Sequence, residues 1–521
     1  MDDNDGNSRP VSDLIDDTSV ENLIFQAVED DLPEEEPKDK ESDNQSSSEA
    51  SQPLNDDEQI SSDASGSLLA DIYEPTTLDH TPQWQRLFSY MVSVSLGCSM
   101  LLPFNAIIGV PDYWETEYPG ANFEFAASMI FSLGNPFVYL IMIFLLRLLS
   151  PTTWLATSMT GIIAVFLVLP VVPFIFGGFS KYVALGLIFL CGIMYSVMGS
   201  AVMSIASSAG SAHIQAVMTG QGTAGIAAIG LRIVTKVFIE LGLIPAKYEA
   251  FASAMLFFSV AGLLFASAFP LYLAEKAMQK AAAAHASSEP EEDMVALTAP
   301  DPTSGKAGSE SETLGDQLED GLLGATEPGV AVDGVAQTPT KAAALGIYLA
   351  RIWMILRAQW PFNFSVAAVF CVTTACFPGL VTAVPSIVPV LNRTGWFPVI
   401  QLTIFMIGDQ AGRFVTKYRY GRVPRRLVAP LSIVRAVLSG PAFLALYILR
   451  ARFAFDPFPM LLTAAFAVSN GILGAESFMF AGDKVPPELR DLSGVLMQLS
   501  QMTALLIGTI LGLLFAYIPA I

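Results

Sequence analysis

The residues best suited to chemistry in this chain lie inside an apolar stretch. In residues 396–417, WFPVIQLTIFMIGDQAGRFVTK, an apolar run leads into Gly408-Asp409-Gln410-Ala411-Gly412-Arg413, and Phe414 and Val415 follow. Asp409 and Arg413 are four residues apart and share one face of a helix. Each charge costs about 2.5–3.5 kcal/mol at a bilayer centre by insertion scales, so such a pair must face protein or a water-filled cavity. A carboxylate accepts from hydroxyls or an amino group, and a guanidinium fork donates to ring nitrogens or hydroxyls. Two roles suit the pair: ligands on the path of a polar solute, or a cytoplasmic lock that holds a closed state. Arg413 stands 17 residues beyond Trp396, about 25 Å along a helix, which places it in the inner half of a span and keeps both roles open.

Other polar groups are set in apolar segments. Pro103-Phe104-Asn105 lies deep in the first such segment; the proline frees a carbonyl that neighbours or water must satisfy. Asn105 serves there as a solute contact or as a structural amide bonded to another helix. Phe104, one turn from Ile108, offers a stacking face or a packing surface. Gly220-Gln221-Gly222 lets a neighbouring backbone approach closely, and Gln221 is a candidate contact between the glycines. Arg232 and Lys236 are spaced to meet Glu240 on the same helix. Glu476 is a candidate partner for Arg435, and a candidate proton site.

These residues need long apolar elements to hold them, and the composition supplies them. Apolar residues make up 52% of the chain and charged ones 15%. Eleven apolar spans are expected, near 88–110, 125–149, 153–176, 182–207, 213–243, 248–273, 361–390, 396–418, 427–449, 458–480 and 492–518. The fold class is therefore an all-α polytopic membrane protein with a 6+5 division of its helices. The net charge of −22 resides in two polar segments. Residues 1–80 carry 24 acidic and 3 basic residues, residues 276–341 carry 12 and 4, and the remainder is net +7. The expected organisation is a disordered acidic tail (1–85), membrane helices (86–275), a disordered acidic loop (276–345) and membrane helices (346–521). The tail reads first as a solvated acidic segment; a contact for cytoplasmic regulators, with a kinase acting on Ser46–Ser48 beside Glu49, is the alternative. No signal peptide is expected.

Basic residues in alternate short loops, among them Arg147, Arg351, Arg357, Lys417, Arg425, Arg426, Lys484 and Arg490, set the orientation. The N-terminus and the long loop are expected in the cytoplasm and the C-terminus outside. The external sequon Asn392-Arg393-Thr394 lies close to two spans. Cys98, Cys191, Cys371 and Cys376 all fall in apolar segments and read as buried small hydrophobes. No cofactor or metal is expected, because no CxxC, HExxH or Cys/His cluster occurs. The Gly-Asp pairs at 408–409 and 482–483 lack the Tyr-Asp and Gly-x-Gly-Asp contexts of an intramembrane aspartyl protease, so an enzyme is not expected.

Together these residues resemble the equilibrative nucleoside transporter family. The similar pieces are LLPFN (101–105), TGQGTAG (219–225), Cys376-Phe377-Pro378, GDQAGR (408–413) and Asn470-Gly471. Their order, the eleven spans and the long loop after the sixth also match, over residues 86–518. The resemblance implies a major-facilitator-like fold and facilitative alternating access for nucleosides or nucleobases across the plasma membrane. It implies neither a cofactor nor a nucleic acid polymer as partner. It places Asp409 and Arg413 at the ribose and base, and the segment of Phe104, Asn105 and Ile108 in the cavity. Two departures stand out. The family usually has Trp where Phe104 stands, and a fourth-span Gln that contacts the base is absent, with Met198-Gly199-Ser200 in that area. GDQAGR also partly resembles a major-facilitator loop motif, which would imply a carrier of another small polar solute, with or without proton coupling.

Overall fold

The computed structural model describes residues 82–119, 123–243, 249–286, 341–418, 423–450, 455–516 and 518. Residues 1–81 of the acidic tail and 287–340 of the acidic loop lie outside them, as do Arg419 and Arg422 between Lys417 and Arg425. Among the described residues every regular element is helical. Before the acidic loop come α1 (Gln83–Ile108), α2 (Phe123–Leu133), α3 (Asn135–Leu145), α4 (Pro151–Val168), α5 (Ser180–Ala209), α6 (Ser211–Glu240) and α7 (Glu249–Ala286). After it come α8 (Lys341–Cys376), α9 (Trp396–Val415), α10 (Arg425–Ile448), α11 (Pro457–Asp483) and α12 (Arg490–Ala516).

Local chemistry sets the boundaries. Ser150 caps α4 by accepting from the Thr153 backbone N–H at 3.2 Å, and Pro151 occupies the first helical position. Gly210, at φ 106°, separates α5 from α6, and Gly395, at φ 67°, precedes α9. The second expected span is two helices, α2 and α3, divided at Gly134 just before Asn135-Pro136. The seventh begins earlier than expected, at Lys341, and carries Pro361 within it. The sixth also departs from expectation: α7 continues to Ala286, into the segment read as loop. Its last turns contain Ala281 to Ala284, and alanine has the highest helix propensity.

Nine runs among the described residues are long and apolar enough to cross a membrane. One of them, Pro151–Ala209, holds both α4 and α5. Helix α9 is not among the nine, because Gln401, Asp409, Gln410 and Arg413 lower its mean hydropathy. The distribution of side chains is inside out. Leu167, Phe179, Leu263 and Leu461 are 70% or more exposed, whereas Asp409, Arg413, Arg435 and Glu476 are buried.

Within each half, helices meet backbone to backbone. A Cβ on Gly97 would come 2.1 Å from the Val217 carbonyl oxygen, tying α1 to α6. A Cβ on Gly471 would come 2.1 Å from the Asp409 carbonyl, and one on Gly412 2.3 Å from the Val468 carbonyl, tying α9 to α11. Contacts between the halves run along α6 with α9 and α11, and along α12 with α2, α3 and α5. Gly471→Val should therefore destabilise the protein by at least about 1–3 kcal/mol through overpacking. A melting curve of the purified variant checks this; an unchanged midpoint would rule out the α9–α11 contact.

Candidate functional site

Helix α9 carries Asp409 and Arg413 on the side that faces α6 and α11. Arg413 Nε donates to Asp409 Oδ2 at 2.8 Å, and both residues are buried. Arg413 Nη1 reaches across to α6, donating to the Met218 carbonyl at 3.2 Å and to Gln221 Oε1 at 3.3 Å. A side chain at position 222 would fill this passage, since a Cβ there would lie 1.9 Å from Gln410 Oε1 and 3.1 Å from Arg413 Cδ. Gln215 Nε2 donates to the Arg413 carbonyl at 3.1 Å, and Tyr90 donates to Gln215 Oε1 at 2.8 Å. The pair thus links two helices of opposite halves.

The other carboxylate oxygen is held from behind. Asn470 Nδ2 on α11 donates to Asp409 Oδ1 at 2.6 Å. Thr373 Oγ1 lies 2.7 Å from Asn470 Oδ1, and Arg435 Nη2 donates to Thr373 Oγ1 at 2.8 Å. Arg435 also donates to the carbonyls of Val369 (2.9 Å) and Phe466 (3.2 Å) and to Ser469 Oγ (3.0 Å), and its guanidinium centre lies 4.1 Å from the Phe466 ring. The expected Arg435–Glu476 pairing is therefore corrected. Carbonyls, hydroxyls and an amide surround Arg435, while Glu476 Oε1 accepts from the Val423 backbone N–H at 2.6 Å.

The sequence candidates divide into groups. Asp409, Arg413 and Gln221 meet directly. Gln221 Nε2 also lies 3.8 Å from the sulfur of Met100 on α1. Phe104 and Ile108, both half-buried, are not joined to that group. Phe104 packs on Phe131 with ring centres 5.3 Å apart, and Phe131 packs on Tyr195 at 5.2 Å. Asn105 is buried elsewhere, in an apolar groove that α1 forms with Ala227 and Leu231 of α6 and Phe257 of α7, and its Nδ2 has no hydrogen-bond partner. Sequence reasoning did not include Asn470, Thr373 and Arg435 in the site; the signal was an Asn and an Arg inside apolar spans.

At the other end of α9, the Lys236–Glu240 expectation is replaced by a link to α9. Lys236 donates to the Thr394 carbonyl at 2.6 Å and lies 5.4 Å from the Trp396 ring centre, while Trp396 Nε1 donates to Glu240 Oε1 at 2.7 Å. Arg232 Nη1 is directed to the Gly109 carbonyl at 3.5 Å. The sequon side chain of Asn392 is engaged within its own loop, accepting from Ser386 N (2.8 Å) and donating to Ser386 O (2.6 Å). All four cysteines are free thiols. Among the described residues no group of three His, Cys, Asp or Glu could hold a metal.

Asn470→Ala should cost about 1–3 kcal/mol, because it leaves the buried Asp409 Oδ1 without its donor. The readout is the melting midpoint of the variant in detergent, where no shift would mean that Asn470 does not support Asp409.

Comparisons with known proteins bear on the family and the fold. A model of the family described as "Nucleoside transporter" matches residues 185–518. Equilibrative nucleoside transporter 4 of Danio rerio is 26% identical over 31% of this chain, a match that spans 30% of that protein. Equilibrative nucleoside transporter 4 of Homo sapiens is 23% identical over 84% of each chain. Among solved structures, the major facilitator superfamily proton:xylose symporter XylE matches with a TM-score of 0.50 at 12% identity, over 81% of this chain and 87% of that one. The fold is thus major-facilitator-like, and the family match covers more than half of the sequence: this chain belongs to the nucleoside transporter family, as a multi-pass membrane transporter.

Proposed function

We propose that the chain carries nucleosides, and nucleobases, down their gradients by alternating access between its two halves. The observation that supports this best is the buried Asp409–Arg413 pair, whose outer contacts belong to the opposite half of the molecule. In the conformation described, Arg413 closes onto α6. When the halves part, the same donors lose Gln221 and the Met218 carbonyl and can take sugar hydroxyls or ring nitrogens instead. Lock and ligand are then one set of atoms in two states, and solute binding replaces the bonds that opening breaks.

Within this reading, Asp409, Arg413 and Gln221 form the polar part of the site. Phe104 and Ile108 form an apolar wall next to Phe131, and Asn105 supports α1 from its far side. Eleven passes follow if Pro151–Ala209 is divided into α4 and α5 and α9 is included. The basic loops favour a cytoplasmic N-terminus and acidic loop, with the acidic tail as a contact for cytoplasmic regulators. The plasma membrane is the proposed location.

Asp409→Asn and Arg413→Ala should each abolish most nucleoside uptake while the protein still reaches the membrane. Uptake of labelled adenosine and uridine, normalised to surface protein, checks this, and normal transport by either variant removes the pair from the site. Exchanging the two charges should also leave the carrier inactive, since a ligand site is polarity-specific where a bare lock is not.

Phe104→Ala should weaken nucleoside affinity about tenfold, the scale of one base-aromatic stack of roughly 1–3 kcal/mol, and Phe104→Trp should be tolerated. Binding to purified protein beside a melting curve decides. A lowered midpoint with unchanged affinity assigns Phe104 to packing on Phe131 alone.

A further inference from the structure

The contact between α3 and α12, a second seam between the halves, holds two facing polar side chains that make no well-formed hydrogen bond. The Tyr139 hydroxyl on α3 is fully buried and has no hydrogen-bond partner. Gln498 on α12 is fully buried, and neither its amide nitrogen nor its oxygen has one. The two side chains are neighbours, yet no well-formed bond closes between them. Buried polar groups are almost always paired, so two adjacent unpaired ones from opposite halves of a transporter call for a reason.

Their depth supplies part of it. The α3–α12 contact has an ion pair at its basic end, Arg147 Nη2 to Asp491 Oδ2 at 3.8 Å. Tyr139 lies eight residues from Arg147 and Gln498 seven from Asp491, about 12 and 10 Å along their helices. Asp409 lies six residues from the end of α9, about 9 Å in, so the two polar groups occupy one layer. Their neighbours supply the rest. Gly199 on α5 makes room for the phenol: a Cβ there would lie 2.0 Å from Tyr139 Oη and 3.3 Å from Met100 Cε. Met100 Sδ in turn lies 3.8 Å from Gln221 Nε2, and Gln221 bonds Arg413. Met100 thus has its Cε beside the space at Gly199 and its Sδ on Gln221, and a methionine side chain is flexible and readily displaced.

We infer that Tyr139 and Gln498 form a second polar subsite of the solute path, which recognises the edge of the nucleobase while Asp409 and Arg413 hold the sugar. The assignment follows from donor geometry. An amide presents a donor and an acceptor side by side in one plane, and a base edge presents the complementary arrangement. The charged pair suits the hydroxyls of a ribose. Tyr139 and Gln498 belong to different halves, so parting the halves exposes both at once, and a bound base satisfies the atoms that the closed state leaves unpaired. The subsite rests on the nucleoside reading above.

The test uses the full chain in transport-deficient cells, with KM measured for adenosine, for purine riboside (which lacks the exocyclic amino group) and for 2′-deoxyadenosine. Gln498→Leu and Tyr139→Phe should each raise the adenosine KM about three- to tenfold, the value of one net hydrogen bond. Each should also narrow the KM gap between adenosine and purine riboside and leave the gap between adenosine and 2′-deoxyadenosine unchanged. Unchanged KM values, with or without a raised melting midpoint, would overturn the subsite and make the two residues packing groups. So would a KM rise that is equal for adenosine and purine riboside, which marks a gating role. Tyr139→Phe removes a single oxygen atom and keeps the test decisive if Gln498→Leu fails to reach the membrane. A wild-type chain that carries no nucleoside at all refutes the nucleoside reading and the subsite together, an outcome distinct from an active wild type with indifferent variants.

Discussion

The arrangement depends on keeping one carboxylate and two guanidinium groups satisfied inside an apolar bundle. Removing one partner of a buried ion pair typically costs 3–5 kcal/mol, because the other charge is left uncompensated. Asp409 therefore needs both oxygens occupied, and it has Arg413 on one and Asn470 on the other. Asn470 is a short side chain, so α9 and α11 must nearly touch for it to reach. Gly412 and Gly471 make that approach possible, each placed against a carbonyl of the facing helix. Gly222 does the same for α6, where a Cβ would collide with Gln410. Gly222 and Gly412, from the GQG and GDQAGR segments, are thus tied to the charges beside them. Arg435 is handled differently. Two carbonyls, a hydroxyl and an aromatic face receive it, and through Thr373 and Asn470 it fixes the far side of Asp409.

The two kinds of helix contact differ in a way that suits motion. Inside the halves, several glycines rest on backbone: Gly97 and Gly220 on carbonyls of α6 and α1, Gly412 and Gly471 on carbonyls of α11 and α9. Rigid backbone does not yield, which suits the proposed movement of each half as a block. Between the halves, the nearest atoms to Gly222 and Gly225 are Gln410 Oε1 and Met406 Sδ, side-chain ends that can rotate away, whereas Gly494 meets both Ser207 Oγ and the Met203 carbonyl. The polar links across the same boundary are also few and individually modest. Lys236 to Thr394 and Trp396 to Glu240 close one end of α6–α9, and Arg413 to Gln221 and Met218 closes the other. Each net hydrogen bond contributes about 0.5–1.5 kcal/mol, so either end can open without disturbing the blocks.

Much of this was legible from residue types and spacing. The i, i+4 spacing put Asp409 and Arg413 on one face, and the structure joins them. Hydropathy located most of the helices, and the small residues beside Gln221 signalled close approach. What spacing could not supply is the register between helices. Charge complementarity suggested Glu476 for Arg435 and Glu240 for Lys236. In the fold, carbonyls at the right height reach Arg435 and Lys236, while Glu240 is taken by an indole N–H and Glu476 accepts from a backbone N–H. A carbonyl is present at every residue and leaves no mark in the sequence, so a cation satisfied by backbone is invisible there. Asn470 was visible as a motif residue, but its link to Asp409 depends on α9 and α11 touching at Gly412.

The LPFN segment shows how a compact motif can serve two surfaces. Residues four apart on a helix drift by only about 40°, so Met100, Phe104 and Ile108 lie along one side of α1, whereas Asn105 lies about 140° round from Met100. The structure follows this division. Met100 touches Gln221 and approaches the space beside Gly199, and Phe104 meets Phe131, all toward the rest of the bundle interior. Asn105 instead lies with Leu102 and Ala106 against α6 and α7. On the proposed reading, a solute moving between the halves meets the Met100–Phe104 side, because that side adjoins the residues that bond α9. The asparagine would then act on the path through the position of α1, and the aromatic residue beside it would be the part of the motif that touches a base.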